Sequence, residues 1–388
     1  MTRKIDSRGL TVEESALRDL ARDFFANKVA PLVPQLERDP SELIRPLFAE
    51  MGQLDLLGPN FPEAHGGGGG RLRTRAIVSE EAARVNAGLD ISMFADVALF
   101  ARCIDRLGTD EQKRTYLEPV LRGDKIGAMA ITEPTGGSDA LSPRSRARRT
   151  GSGWVLDAAK TFITNAPIAD FIVLIARTSG ENRQLHGGTW FILERGMPGL
   201  VQGPAFRKAG WKSSPTGEVT ASSVTLDDTH VLGEPEEGFR YLVDSLDNER
   251  VLIGASALGL AQACLELSVR YARERVVFGQ AIAGYQLIQD KIATMSAGIE
   301  LGRTLVYSLL DRIDRGEKVT HQAAVAKLHA TELAVQSALD TIQILGGAAY
   351  VDDHPATRFL HDAKLHEIGG GTTEIMKIII ARESLRSA

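Results

Sequence analysis

The spacing of apolar side chains divides the 388-residue chain into three regions. From Thr11 to about Gly123, apolar residues recur at helical spacing, and Thr11 with Glu14 forms a capping-box pattern at the start of the first helix. After Gly127 the pattern changes to short β-branched or aromatic runs, such as "DFIVLIART" and "TWFILE", separated by Gly, Asn, Asp and Pro. From about Glu237 onward, long helical patterns return.

This order of patterns predicts an α+β fold with three domains. We expect an N-terminal helical domain at residues 1–125, a middle β-barrel-like or sandwich domain at residues 126–236, and a C-terminal helical bundle at residues 237–388. Five consecutive glycines, Gly66 to Gly70, interrupt the first domain. They lack the Lys-Ser or Lys-Thr ending of a phosphate-binding loop, so we expect a flexible surface loop there.

The composition narrows the class of protein. Hydrophobic residues make up 43% of the chain and charged residues 24%, with a net charge of -5, which is typical of a globular protein and argues against a nucleic-acid partner. Cys103 and Cys264 are too few for a disulfide framework and lack the spacing of metal ligands. The start of the chain has no apolar core of a secretory signal, and no apolar run reaches the ~20 residues of a membrane span. We therefore expect a cytoplasmic protein.

A carboxylate interrupts an apolar stripe on the helix that follows Gly238. Glu249 occupies one step of the helical series Leu242, Leu246, Ile253, Ala257 and Leu260. Burying an ionised carboxylate without a partner is costly, so Glu249 either pairs with a cation or belongs to a site that raises its pKa. We favour a functional acid or base over a structural ion pair.

Three glycines break a helical pattern near the C-terminus, in "HEIGGGTTEI" from His366 to Ile375. Such a run ends a helix, because each glycine costs a helix interior about 1 kcal/mol relative to alanine. Glycine also permits positive φ and lets a ligand approach the bare backbone, while Thr372 and Thr373 can cap a following helix. From these residues alone, a connector and a ligand-binding loop both remain open.

Two loops of the middle region carry groups suited to a ligand. "ITEPTGGSDA" is rich in hydroxyls and free backbone donors, and is either an anion-binding loop or a turn that caps the next element. In "KTFITNA", Phe162 and Thr164 lie two residues apart and share one face of a strand. An aromatic wall beside a hydroxyl suits a flat heterocycle, although packing of the aromatic ring into the core explains the pattern equally.

Two further stretches lie in the C-terminal region. In "RERVVFGQAIAGYQ", Arg275 is either a ligand of pyrophosphate, which a guanidinium grips with two parallel hydrogen bonds, or a solvated residue at a helix end. In "QILGGAAY", Gln343, Gly346 and Gly347 form a helix end that is either a simple cap or a place where a ligand approaches the backbone.

These stretches, in this order and on helix, sheet and helix, resemble the acyl-CoA dehydrogenase family over nearly the whole chain. The resemblance implies oxidation of an acyl thioester to its α,β-unsaturated form, with electrons passed to an acceptor such as an electron-transfer flavoprotein. It also implies FAD held between the β domain, the C-terminal helices and a neighbouring subunit of a homotetramer.

The resemblance implies a role for each cofactor-binding residue. Thr132 would bond the flavin pyrimidine edge, Ser138 the pyrophosphate, and Phe162 and Thr164 the flavin face and its N5 side. The adenosine half would be held across the subunit interface by Arg275, Phe278, Gln286, Gln343 and Gly347, and the remaining cofactor contacts would come from Thr372 and Glu374. Val277 stands where many members have a polar residue, so one pyrophosphate contact differs.

The resemblance also bears on the catalytic base. Many members carry a glutamate just before the last glycine of the C-terminal loop, where this chain has Gly370. A second group, similar to the isovaleryl and long-chain enzymes, has its glutamate in a "D-x-E-R" context, and "LDNER" puts Glu249 there. We therefore expect Glu249 to remove the α-proton, and the amide region of Gly370 to bond the thioester carbonyl.

Three alternatives stay open at this stage. Some members of the same scaffold are flavin monooxygenases, and a catalytically silent partner subunit would belong to another class altogether. The thiol of the substrate is either coenzyme A or the pantetheine of an acyl carrier protein. Recognition of an acidic carrier protein would need a basic surface patch. The candidates for that patch are Arg144, Arg146, Arg148 and Arg149. The simpler interpretation is that these arginines are a run of solvated charges.

Overall fold

The computed structural model describes residues 9–351 and 354–386. Its first region is helical, and the expected capping box is present, since the N–H of Thr11 donates to Oε2 of Glu14 and the N–H of Glu14 donates to Oγ1 of Thr11. The helices are α1 Val12–Phe24, α2 Val33–Arg38, α3 Ile44–Gln53, α4 Leu72–Met93, α5 Arg102–Leu107, α6 Asp110–Gln112 and α7 Glu118–Leu121. Turns of π-helix extend the chain at Phe25–Val29, Phe94–Ala101 and Lys113–Leu117.

The glycine run at Gly66 to Gly70 is a packed turn, where the sequence predicted a flexible loop. The N–H of Gly68 donates to the carbonyl of Gly58 at 2.9 Å, and the N–H of Gly69 donates to that of Phe61 at 2.8 Å. A Cβ at Gly67 would lie 2.3 Å from the carbonyl oxygen of Phe61. The glycines are therefore needed for a close approach between two backbone segments, which the composition of the run does not reveal.

The middle region forms one curved sheet. Its strands are β1 Gly127–Ala130, β2 Arg146–Thr150, β3 Gly153–Thr164, β4 Phe171–Arg177, β5 Gly188–Glu194, β6 Leu200–Gln202, β7 Thr216–Leu226 and β8 Val231–Leu232. Their order is β6-β7-β3-β2-β4-β5-β8, and β1 pairs with β4 in parallel. Strand β4 is apolar from Phe171 to Ala176 because both of its faces are buried: Ile172 and Leu174 pack inside the sheet, whereas Val173 and Ile175 pack against the N-terminal helices.

The C-terminal region is a helical bundle. It contains α8 Gly238–Glu274, a short hairpin of β9 Val276–Val277 and β10 Gln280–Ala281, and then α9 Gln286–Asp314, α10 Thr320–Leu345, α11 Pro355–Ile368 and α12 Thr373–Arg386. Helix α8 is long and apolar enough to cross a membrane, but 83% of its apolar window is buried inside the protein. It is the central helix of the core and packs against α4, α9 and α10. The predicted α+β architecture is therefore confirmed.

Candidate active site

Glu249 lies near the first third of α8 and is only 9% exposed. Oγ of Ser245, one turn earlier, donates to its Oε1 at 2.7 Å. Burial raises the pKa of Glu249, and the Ser245 hydrogen bond and the charge of Arg250 only partly oppose that rise. Arg250 itself pairs with Asp247 at 3.0 Å, and no ion pair reaches Glu249 from residues 9–351 or 354–386. Of the two expectations for this carboxylate, a site of raised pKa fits and a structural ion pair does not.

A cavity of about 420 Å³ opens beside Glu249. Its walls come from the N-terminal helices, from Met129 of β1, from Trp190 of β5 and from α8, with Leu242 and Leu252 among the apolar lining. Cys103 also lines the cavity, and burial raises the pKa of its thiol to about 12, so the thiol is neutral. The cavity is within the usual size range for small-molecule sites, and its lining mixes apolar with polar and charged residues. Three carboxylates line it, of which Glu249 is buried and Asp244 and Glu317 are exposed.

The glycine run after α11 lies against the helix that carries Glu249. Gly370 and Gly371 have φ of +64° and +98°, which explains why the helical pattern must break here. A Cβ on Gly370 would lie 2.2 Å from Cδ1 of Ile253, one turn after Glu249. Oγ1 of Thr372 accepts from the N–H of Ile375 and so caps α12, as the sequence suggested.

A buried lysine fixes this glycine loop. Nζ of Lys327, on α10, donates to the carbonyl of Gly371 at 2.7 Å and to that of His366 at 3.1 Å. Burial lowers the pKa of Lys327 to about 8 and that of His366 to about 3. Nδ1 of the neutral imidazole donates to the carbonyl of Asp362, so its Nε2 accepts from Oγ of Ser256 on α8 at 2.9 Å.

The connection between β6 and β7 reaches the same loop. The N–H of Trp211 donates to Oδ1 of Asp362 at 2.6 Å, and the indole meets the ring of His366 edge-on, with centroids 5.0 Å apart. Burial raises the pKa of Asp362 to about 7. The loop is thus held by α8, α10 and the middle region together.

Sequence reasoning missed these supporting residues. Lys327 had a usable signal, since it is a cation among the buried alanines of α10, such as Ala323 and Ala330. That pattern is the same polar gap in an apolar helix that singled out Glu249. Trp211 and Asp362 carry no such signal, because their contact joins segments 151 residues apart.

The candidate cofactor residues of the middle region lie together. The N–H of Thr161 donates to the carbonyl of Thr132 at 2.9 Å, which joins the "ITEP" loop to the bulge of β3 that contains Phe162. Phe162 has φ of +57° and is 68% exposed, and the ring of Phe206 lies beside its ring at a centroid distance of 5.5 Å. The alternative that Phe162 packs into the core is therefore wrong. Thr164 is half-buried at the end of β3, and Ser138 is exposed.

The C-terminal candidates are mostly exposed and lie on the β9–β10 hairpin and the helices around it. Phe278 and Gly279 have φ of +51° and +84° and form the tip of the β9–β10 hairpin, with Phe278 94% exposed. Such a turn is unusual for phenylalanine and costs about 1–3 kcal/mol. The other exposed candidates are Arg275, Gln286, Gln343, Gly347 and Glu374, whereas Thr372 is half-buried. Within the described ranges, no hydrogen bond or ion pair links the hairpin to Thr132, Ser138, Phe162 or Thr164.

The candidate residues therefore form two groups with complementary chemistry, which we call the two candidate half-sites. The middle region supplies an exposed aromatic face, hydroxyls and a glycine-rich loop, which suit a flat heterocycle and its phosphates. The C-terminal half supplies Arg275, the Phe278 ring and the open backbone of Gly347, where an added Cβ would meet no heavy atom within 4 Å. These residues fit a dinucleotide with a flat ring at one end.

Comparisons with known proteins agree with this chemistry. Models of the acyl-CoA dehydrogenase N-terminal, middle and C-terminal domains match residues 11–124, 128–224 and 236–385. The chain is 36% identical over 96% of its length to an acyl-CoA dehydrogenase of Bacillus subtilis, covering 98% of that protein. It is 35% identical over 95% of its length to mitochondrial isovaleryl-CoA dehydrogenase of Solanum tuberosum, covering 90% of that protein.

A solved structure indicates the same family. Butyryl-CoA dehydrogenase from Megasphaera elsdenii superposes with a TM-score of 0.92 at 34% identity, over 97% of this chain and 99% of the other. The chain belongs to the acyl-CoA dehydrogenase family. It is accordingly a flavoprotein oxidoreductase that acts on CH–CH bonds and uses FAD.

Proposed function

We propose that Glu249 is the general base that removes the α-proton of an acyl thioester bound in the adjoining cavity. The observation that carries this proposal is a buried carboxylate, without an ion-pair partner in the described chain, that lines this cavity. A general base transfers protons most efficiently when its pKa lies near the operating pH, and burial raises the pKa of Glu249 toward that range. Ser245 restricts the rotamer of the carboxylate by donating to one oxygen, which leaves the other for the proton.

The glycine loop has the second role in the proposed mechanism. We assign to the backbone amide of Gly370 a hydrogen bond to the thioester carbonyl oxygen, where negative charge grows as the α-proton leaves. Lys327 keeps this loop in place through the carbonyls of Gly371 and His366, so it is a positioning residue. Bound FAD supplies the acceptor for the hydride from the β-carbon.

The base assignment has a direct test. Glu249→Gln keeps the shape of the side chain and removes the base, so anaerobic flavin reduction by acyl-CoA should slow by at least about 100-fold while FAD stays bound. Glu266→Gln, the same substitution on an exposed part of α8, is the matched control. A rate for Glu249→Gln within about tenfold of the parent, where chemistry limits turnover, would remove Glu249 from the mechanism.

We further propose that FAD is shared between two subunits of a homotetramer. Support comes from the separation of the two half-sites and from large apolar side chains exposed in the C-terminal region: Phe278, Leu287, Leu301, Tyr350, Val351 and Ile378. Exposed apolar patches of this kind mark interfaces. We also propose an electron-transfer flavoprotein as electron acceptor and the cytoplasm as the location, where the free thiols Cys103 and Cys264 would remain reduced.

An acyl carrier protein thioester is the second candidate substrate, beside the coenzyme A form. The observation that favours it is a pair of exposed arginines, Arg144 and Arg148, with no acidic partner in the described chain. The other two members of the basic run are engaged, since Arg149 pairs with Asp228 and Arg146 donates to the carbonyl of Pro143.

A further inference from the structure

Arg75, on α4, is a buried cation with unused hydrogen-bonding capacity. Its side chain is 1% exposed, and its Nη2 lies 3.3 Å from Oδ1 of Asp90. Its Nε and Nη1 are buried and have no hydrogen-bond partner anywhere in residues 9–351 and 354–386. Guanidinium N–H groups left unpaired in the interior are destabilising, so their presence requires an explanation.

The acids around Arg75 do not use these nitrogens. Asp90 accepts two contacts from Oγ of Ser79, at 2.8 and 2.9 Å, in addition to Nη2 of Arg75. Asp96 accepts from the N–H of Gly127 at 2.6 Å and forms no ion pair with Arg75. Burial raises the pKa of Asp96 well above its usual range, raises that of Asp90 and lowers that of Arg75. Within the described residues the contact with Asp90 is the one ion pair of Arg75, and the N–H groups at Nε and Nη1 are unused.

Arg75 lines the same cavity as Glu249. A second polar atom without a partner in the described chain, Oδ1 of Asn60, belongs to a residue that also lines this cavity. A plain hydrocarbon chain would fill the volume and leave both groups unsatisfied. An oxygen on the acyl chain would instead accept a charge-assisted hydrogen bond from an unused N–H of the guanidinium.

We propose that Arg75 binds an acceptor oxygen carried by the acyl chain, on the premise of the proposed function that the cavity beside Glu249 holds that chain. The substrate class is then an acyl thioester whose chain bears a carboxylate or a neutral carbonyl oxygen away from the thioester. A charge-assisted hydrogen bond in a buried site favours such a chain over a hydrocarbon of equal shape by about 10-fold to 100-fold.

The test measures binding, so it does not depend on which residue is the base. Holoenzyme carrying Glu249→Gln is titrated calorimetrically with three ligands of matched shape: glutaryl-CoA, its terminal amide, and 5-methylhexanoyl-CoA, in which two methyl groups replace the carboxylate oxygens. Homologues shorter and longer by one methylene cover the depth of the cavity. At one chain length, an oxygen-bearing ligand should bind at least about tenfold more tightly than its hydrocarbon counterpart.

Variants then assign that preference to Arg75. Arg75→Met combined with Asp90→Asn removes the charged pair without leaving an unpaired buried carboxylate, and it should abolish or reverse the preference. Arg84→Met, at a half-buried position of the same helix outside the cavity lining, should leave the preference unchanged. Asp90→Asn alone removes a negative charge beside Arg75, so it should strengthen binding of the carboxylate ligand more than that of the amide.

Two results would overturn the proposal. One is equal or tighter binding of the hydrocarbon at every chain length, and the other is a preference for oxygen that survives the double substitution. If the double variant loses FAD or unfolds, Arg75→Lys replaces it, because lysine keeps the charge and lacks the N–H groups at Nε and Nη1. An unchanged preference in folded Arg75→Lys would likewise refute a contact with these guanidinium groups. A Glu249→Gln enzyme that still reduces its flavin would refute the base assignment and leave the binding result standing.

Discussion

Gly370 of the glycine loop packs directly against Ile253 of helix α8. Cδ1 of Ile253 lies 2.2 Å from the position that a Cβ on residue 370 would take. Ile253 follows Glu249 by one helical turn, so a side chain at position 370 would compete with the helix that carries the carboxylate. This contact gives a physical reason for glycine at the position where many family members, by the resemblance, carry their base.

Gly370→Ala is therefore expected to destabilise the enzyme. A Cβ at positive φ costs about 1–2 kcal/mol, and overpacking against Ile253 adds about 1–3 kcal/mol. Thermal unfolding of the holoenzyme measures the loss, and Ile253→Ala in the same chain should recover part of it. Gly369→Ala is the control, because Gly369 has φ of -69° and its nearest neighbour would be 3.4 Å away. Equal effects of the two alanines would refute this account.

Lys327→Met tests the support of the loop. The carbonyls of Gly371 and His366 would each lose a donor, at a cost of about 1–3 kcal/mol. If Lys327 positions the Gly370 amide, kcat should fall by about tenfold while KM and FAD content change little. Lys377→Met removes an exposed ion pair with Glu332 and should leave kcat unchanged. A loss of stability with an unaltered kcat would make Lys327 purely structural.

The candidate base and the residues around it differ in how well the sequence alone predicts them. Glu249 was predicted because its neighbours on α8 are apolar at regular spacing, which makes a single carboxylate visible. Arg75 was not predicted, because α4 is buried on nearly every side. Its polar and apolar residues do not separate into two faces, so one buried cation is not recognisable from the sequence. The contact between Trp211 and Asp362 joins distant segments, and such pairings depend on the tertiary fold.

The fold was more predictable than the site. Changes in apolar periodicity identified the three regions, since burial on one or two faces dictates the pattern of each element. The Gly66–Gly70 turn shows the limit: its glycines fit closely against residues 58–62, and only the structure identifies those neighbours. The cofactor residues were recognised from a resemblance, and their exposure in one chain leaves the assembled FAD site as a prediction.

Titration of Glu249 should link stability to pH. Its pKa is raised by burial in the folded protein, so folding is opposed by the ionised form and not by the protonated one. Glu249→Gln should thus raise the Tm of the holoenzyme at mildly alkaline pH, and the gain should vanish as pH falls toward the ordinary glutamate pKa. Differential scanning calorimetry across this range tests the sign. A Tm gain that grows toward acid pH would contradict a raised pKa.

Charge reversal at Arg144 and Arg148 tests the carrier hypothesis. An acidic carrier would dock less often on the reversed surface, so kcat/KM for an acyl carrier protein substrate should fall steeply at low salt, and the difference from the parent should shrink at high salt. The same acyl group on coenzyme A should react at an unchanged rate. Charge reversal at Arg149, which is already paired with Asp228, is a milder control. Equal effects on the two thioesters would exclude this surface as a carrier site.

Subunit mixing tests whether two chains complete each FAD site. We expect Arg275→Ala and Ser138→Ala to weaken FAD binding separately, because each removes a phosphate contact from a different half-site. If the two half-sites of different subunits meet across an interface, the two variants can be dissociated, mixed and reassembled. An interface between one subunit of each variant then contains one FAD site with both residues intact and one site with both residues altered. Flavin binding and activity should then partly return, which gel filtration of the mixture with FAD detection would measure.

The alternative is a complete site within each chain. In that case every site keeps one defect after mixing, and no activity returns. Arg273→Ala, two residues before Arg275 and equally exposed, separates a specific contact from a general loss of positive charge, since it should bind FAD normally. Dilution gives an independent readout: FAD should dissociate together with the oligomer. A monomer that retains stoichiometric FAD on gel filtration would refute the shared site.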